Sequence, residues 1–313
     1  MTLEEIRQAA TRIGGIAHRT PVISSRTFNQ AAGVEAFFKC ENFQRGGAFK
    51  IRGAANFIFS IPAADCARGV VAFSSGNHAQ AVAIASASAG APATIVMPTD
   101  APRSKLEATR GYGARVVVFD RLREDREAIG RGIAEETGAT LVPPFDHPWI
   151  IAGQGTAALE FMEQVADLDA LVVPIGGGGL ISGCATAAKA INPSIRVFGV
   201  EPEDGNDTWL SIRAGQRCEI PAPKTIADGL RAPKPGAVTF PIIQRLVDDI
   251  FLVSEDEIRG AVKFLLTRMK ILAEPSGAVP AAAVLARKMP PEIKRAGILI
   301  SGGNVDYELL AAL

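Results

Sequence analysis

In "GGAFKIRG", residues 46–53, one lysine stands where paired glycines give way to a helical pattern. An amine at a helix N-terminus feels a positive potential, and burial beside Phe49 further disfavours its charged form, so Lys50 is a candidate nucleophile. Alone, a lysine after glycines reads as a solvated charge. Three other loops change that reading. "PIGGGGLISG" (174–183) follows an apolar strand and opens a helix, so the bare backbone of Gly176, Gly177, Gly178, Gly179 and Leu180 forms an anion cradle suited to a phosphate. "SSGNHAQA" (74–81) crowds Ser74, Ser75, Asn77 and His78 against a second helix start, a cradle suited to a carboxylate. "ISGGN" (300–304) ends the last apolar strand, where Ser301 offers a neutral hydroxyl beside glycines that admit a planar ligand.

A phosphate cradle, a carboxylate cradle, an activatable amine and a neutral hydroxyl together match the needs of pyridoxal phosphate: the lysine forms the Schiff base and the glycines hold the phosphate. The glycine loop also keeps a nicotinamide oxidoreductase open. Gly177, Gly179 and Gly183 give a G-x-G-x-x-x-G variant, with Glu201 ending the next strand. No G-K-[ST] follows, which argues against a nucleotide P-loop.

The elements that must position these loops alternate. Short β-branched runs at 35–40, 69–74, 94–98, 115–119, 140–144, 170–176, 195–201, 249–254 and 297–301 are each followed by a helical pattern. This predicts an α/β fold with mainly parallel sheets flanked by helices, and ligands at the strand C-terminal ends. Residues 67–146 read as a small, mobile substrate-binding lobe inserted into a larger cofactor-binding lobe built from 1–66 and 147–313. Twelve residues follow Ser301, too few for an appended regulatory domain.

Among 313 residues, 33 basic and 33 acidic side chains balance, which favours a small-molecule partner over nucleic acid or an anionic membrane. Cys40, Cys66, Cys184 and Cys218 have no metal-ligand or disulfide spacing and read as reduced thiols of a cytoplasmic protein. The N-terminus lacks the order of a signal peptide, and the alanine-rich run from residue 79 breaks too early to span a membrane.

The ordered motifs "ENFQRGGAFKIRGA", "FSSGNHAQA", "PPFDHP", "AGQGTAALE", "GGGGL", "GVEPEDGND", "KTIADG", "RMKILAEPSGA" and "SGGNVD" resemble the serine/threonine dehydratase and serine racemase family, the fold type II pyridoxal phosphate enzymes. They look most like its racemase and 3-hydroxyaspartate ammonia-lyase branch. The resemblance implies a two-lobed, tryptophan synthase β-like fold and a homodimer. It implies Lys50 as the Schiff-base lysine, Phe49 packed by the cofactor, Asn77 meeting the ring hydroxyl, the Gly176–Leu180 loop on the phosphate and Ser301 on the pyridine nitrogen. It also implies a Mg²⁺ or Ca²⁺ site from Glu201, the Gly205 carbonyl and Asp207, and an Arg126 that faces the substrate's distal end.

The activity so implied is an ammonia-lyase that converts 3-hydroxyaspartate, serine or threonine to a 2-oxo acid. The alternative is a serine or aspartate racemase using Lys50 and Ser75 as bases on two faces. Ala48 and Ala232 stand where the family commonly has serine, which leaves substrate preference open.

Overall fold

The computed structural model describes residues 1–74, 76–101, 103–120 and 122–312. Among the described residues ten strands form two sheets: β1 (Val22–Ser24), β2 (Glu35–Cys40), β3 (Val70–Phe73), β4 (Ala93–Pro98), β5 (Arg115–Phe119), β6 (Thr140–Leu141), β7 (Ala170–Pro174), β8 (Arg196–Pro202), β9 (Asp249–Val253) and β10 (Arg295–Ile300). The larger sheet runs β1-β2-β10-β7-β8-β9 and the smaller β5-β4-β3-β6. Every pairing is parallel except β1 with β2. The alternation of strand and helix therefore produces the α/β lobes it implied. β7 is buried along its whole length, as expected for a strand covered by helices on both faces.

Two details differ from the sequence reading. The expected strand over 140–144 stops at Leu141, because Pro143 and Pro144 have no N–H to give a ladder. The three-residue β1 is too short to show a period and is held by its antiparallel pairing to β2. The apolar core under the smaller sheet also draws on Ile13, Ile16, Ile51, Ala54, Phe57 and Ile150, from segments outside 67–146.

Four of the segments that the sequence singles out leave the C-terminal ends of parallel strands: the glycine loop after β7, Ser301 after β10, Ser74 after β3 and the acidic turn after β8. Between the Lys50 helix (Lys50–Ile58) and the glycine-loop helix (Gly179–Ile191) lies the long helix Pro148–Gln164. Its glycines make both approaches close. A Cβ on Gly153 would lie 2.7 Å from Gly53 Cα, and one on Gly155 would lie 2.8 Å from the Gly183 carbonyl.

Candidate active site

Lys50 is the first residue of its helix, and Phe49 N–H donates to the Ser301 carbonyl at 3.0 Å, so the lysine and the end of β10 are neighbours. Ala48 and Gly302 form a β-bridge beside them. Lys50 Nζ donates to the Pro144 carbonyl at 2.9 Å and lies 5.3 Å from the Phe49 ring centroid. Burial lowers its pKa from 10.5 to about 8, and the opposing field of Glu274 recovers only part of the loss.

The segment that brings the Pro144 carbonyl to Lys50 also shapes the glycine loop. A Cβ on Gly177 would collide with the Phe145 ring, so the phenyl face fits only against bare backbone. The next residue, Asp146, accepts from the N–H groups of Ala237, Val238 and Thr239 at 2.8, 2.8 and 3.1 Å, capping the helix Thr239–Leu246. Thr239 Oγ1 donates back to the Gly177 carbonyl at 2.8 Å. Gly178, at φ 91°, turns the chain into a helix that no side chain caps. Its first-turn N–H groups have no partner within the helix, and they fit a phosphate.

Asn77 opens the 13-residue helix Asn77–Ala89, also without a side-chain cap. Its Nδ2 donates to Glu274 Oε1 at 2.8 Å and its Oδ1 accepts from Asn304 Nδ2 at 2.9 Å. Asn304 Nδ2 reaches the Gly46 carbonyl too, at 2.7 Å. His78 is buried, and its Nε2 lies 3.2 Å from the Val142 carbonyl. Burial, with the nearby Lys50 charge, pushes its pKa down to about 3, so the ring is neutral and Nε2–H is the donor. Ser74 Oγ accepts from Gly76 N–H at 3.2 Å, and Ser75 lies outside the described residues. Ser301 is buried at the strand end.

Arg126 starts the helix Arg126–Thr137, is exposed, and stands 5.7 Å from the centroid of the Phe73 ring, immediately before Ser74. Lys105 of the smaller lobe meets Asp228 of the larger at 3.3 Å.

Glu274 carried no role in the sequence reading, although a lone acid within the apolar run "KILAEPSGAVP" is a signal of burial. Burial and the nearby Asp228 raise its pKa to about 8, and the Asn77 bond only partly offsets them. Glu201 and Asp207 are both fully buried. Glu201 accepts from the N–H groups of Thr208 and Trp209 at 3.1 and 2.8 Å, one on each oxygen. Among the described residues, no other residue donates to either carboxylate oxygen of Asp207. Burial raises Asp207 to about 7, and burial with the Asp207 charge raises Glu201 well above the usual carboxyl range. Among the described residues no three acidic, His or Cys side chains gather, so a cation here would be held by two carboxylates and backbone.

The model of the pyridoxal-phosphate dependent enzyme family matches residues 14–302. The chain belongs to that family. It is 50% identical over 310 residues to the serine racemase of Schizosaccharomyces pombe, covering 99% of this chain and 96% of that protein. It is 49% identical over 312 residues to the L-threo-3-hydroxyaspartate ammonia-lyase of Saccharomyces cerevisiae, covering 100% and 96%. The structure of maize serine racemase superposes with a TM-score of 0.96 at 46% identity, covering 99% of this chain and 96% of that one. Membership in this family sets the nicotinamide reading aside, and the cofactor is pyridoxal phosphate. The uncapped helix after the glycine loop and the buried Lys50 amine are of the kind that fits its phosphate and its carbonyl group.

Proposed function

We propose that the chain is an ammonia-lyase acting on a β-hydroxy amino acid, 3-hydroxyaspartate or serine and threonine, to give a 2-oxo acid and ammonia. The observation that carries it is the buried Lys50 amine with its pKa near 8, in a chain half identical to an L-threo-3-hydroxyaspartate ammonia-lyase. Pyridoxal phosphate supplies the electron sink that makes an α-proton removable. Lys50 Nζ holds the cofactor at rest and then takes that proton, being neutral for much of the time near pH 8. Gly176, Gly177, Gly178, Gly179 and Leu180 hold the phosphate, Phe49 flanks the ring, and Ser301 gives its nitrogen a neutral partner.

Ser74, Ser75 and Asn77 receive the substrate carboxylate at the open helix start, with the neutral His78 ring behind them. Arg126, beside Phe73, reaches a distal carboxylate. Residues 67–146 close over the substrate as a unit. Asp207, with its unpartnered oxygens, Glu201 and the Gly205 carbonyl take Mg²⁺ or Ca²⁺. The enzyme works as a cytoplasmic homodimer.

A second reading, favoured by 50% identity to a serine racemase, is racemisation of serine or aspartate with Ser75 as the base on the other face. One assay separates the two: oxo-acid release and enantiomer conversion with L-threo- and erythro-3-hydroxyaspartate, L-serine, D-serine and L-threonine, with and without EDTA. The lyase reading expects oxo acid to exceed inverted amino acid on at least one hydroxyaspartate. Inversion without oxo acid on every substrate overturns it. Lys50→Ala should lower turnover by at least about a thousandfold, and full activity in that variant would refute the assigned base.

A further inference from the structure

Beneath the first turns of the Lys50 helix lies a group of buried charges that the proposed chemistry does not use. Arg52 is wholly buried. Its Nε and Nη2 donate to Glu41 Oε2 and Oε1, both at 2.8 Å, and its Nη1 and Nη2 donate to Glu160 Oε1 and Oε2 at 2.8 and 2.9 Å. Thr156 Oγ1 and the His18 carbonyl accept at 3.1 and 3.2 Å. Lys39 Nζ completes the group with Glu160 Oε2, Gln164 Oε1 and the Thr20 carbonyl at 2.7, 2.8 and 2.9 Å.

Stability alone explains such a group poorly, since apolar replacements of a buried ion cluster are often as stable. A planar guanidinium forked onto two carboxylates instead fixes orientation. Glu41 follows β2, and Glu160 and Thr156 belong to the helix Pro148–Gln164. That helix touches the Lys50 helix at Gly153 and Gly53 and the glycine-loop helix at Gly155 and Gly183. The glycine contacts set how far apart the two helices lie. Asn56 Nδ2, donating to the Trp149 carbonyl at 2.6 Å, holds the Lys50 helix one turn on, and the Arg52 fork is the contact beside Lys50, where an amine several ångström off the axis moves by about 1 Å for roughly 10° of roll.

We propose that Arg52 is a positioning residue whose fork onto Glu41 and Glu160 sets the roll of the Lys50 helix, and so the place of Lys50 Nζ relative to the glycine cradle. This rests on the reading of Lys50 as the amine that bonds the cofactor. In that attachment Nζ joins the cofactor's carbonyl carbon, and the carbonyl oxygen leaves as water with both amine protons.

The test uses the full chain freed of cofactor and two probes, pyridoxal 5'-phosphate and pyridoxine 5'-phosphate. Both have the ring and the phosphate, and only the first has a carbonyl for the amine to attack. Arg52→Lys should weaken pyridoxal phosphate by about a hundredfold, with a matching loss of the visible band of the lysine-linked cofactor. Pyridoxine phosphate should change by less than about threefold, because its hold on the cradle does not depend on Nζ. Equal weakening of both probes marks a merely structural role and overturns the proposal, as does no change in either. If Arg52→Lys does not fold, Glu160→Gln, at a side chain that is 17% exposed, is put through the same comparison with the same outcomes decisive. An unmodified chain that bound both probes equally and gave no visible band would instead refute the Lys50 reading itself, and this inference with it.

Discussion

Glu41 and Glu201 are both wholly buried carboxyls at the C-terminal ends of parallel strands, and their surroundings are opposite in kind. Glu41 meets a guanidinium with both oxygens and a threonine hydroxyl with one. Its companion Glu160 is held below the usual carboxyl range, because the Arg52 and Lys39 bonds outweigh the burial that would raise it. Glu201 has only two backbone N–H groups, no cation, and a second buried acid, Asp207, whose oxygens no other residue satisfies. Where the chain provides every partner, the charges act as structure. Where it leaves oxygens bare, a ligand is the natural partner.

The largest effect expected from this contrast is at the paired site. Glu41→Gln strands part of the Arg52 charge and should destabilise the protein by about 3–5 kcal/mol in urea denaturation. A loss under about 1 kcal/mol would mean that the cluster is not tightly coupled.

At the bare site the sign should reverse. In EDTA, Asp207→Asn should stabilise the protein by about 1–3 kcal/mol, since it removes an unsatisfied buried acid. With Mg²⁺ or Ca²⁺ at about 100 times its Kd, the unmodified chain should gain about 2.7 kcal/mol and the variant nothing. A cation that leaves both melting curves unmoved would remove the metal reading.

Glu274 tests a third condition, a buried acid partnered by an amide. Its pKa is raised from 4.5 to about 8, so the stability tied to its neutral form is full below pH 4.5 and lost as pH rises through about 8. Lys50, lowered from 10.5 to about 8, acts in the other direction: above pH 8 the unfolded chain binds the extra proton, so stability rises with pH. Glu274→Gln should therefore reduce the fall in stability of the cofactor-free protein between pH 4.5 and 8, a fall to which Asp207 and Glu201 also contribute and which His78 opposes below pH 6.5. A profile unchanged by the substitution would show that Glu274 does not titrate in this window. The smallest effect belongs to the Lys105–Asp228 bridge between the lobes, with one partner 48% exposed. Lys105→Met should change stability by less than about 1 kcal/mol at moderate salt.

Much of this was legible in the sequence. The strand-to-loop junctions at Gly176, Ser74 and Ser301 follow β-branched runs whose period needs no tertiary information. Lys50 was legible only through the company of those loops. What was not legible depended on long-range pairing. Arg52 and Glu160 lie 108 positions apart and Asn77 and Glu274 lie 197 apart, and no local pattern marks either pair. Phe145 and Asp146 were visible within "PPFDHP", but their work falls on Gly177 and on residues 237–239, which only the fold brings to them.

That segment, Pro144–Asp146, is where the chain returns from the smaller lobe to the larger. Its three residues are fastened in turn to the lysine, the glycine loop and a helix start. Val142 still belongs to the smaller sheet, where its N–H donates to the Val71 carbonyl at 2.8 Å, so Pro143 alone separates that sheet from the three fastenings. The Lys50 amine and the glycine loop are thereby spaced by one short segment, so a change at Phe145 is felt at both.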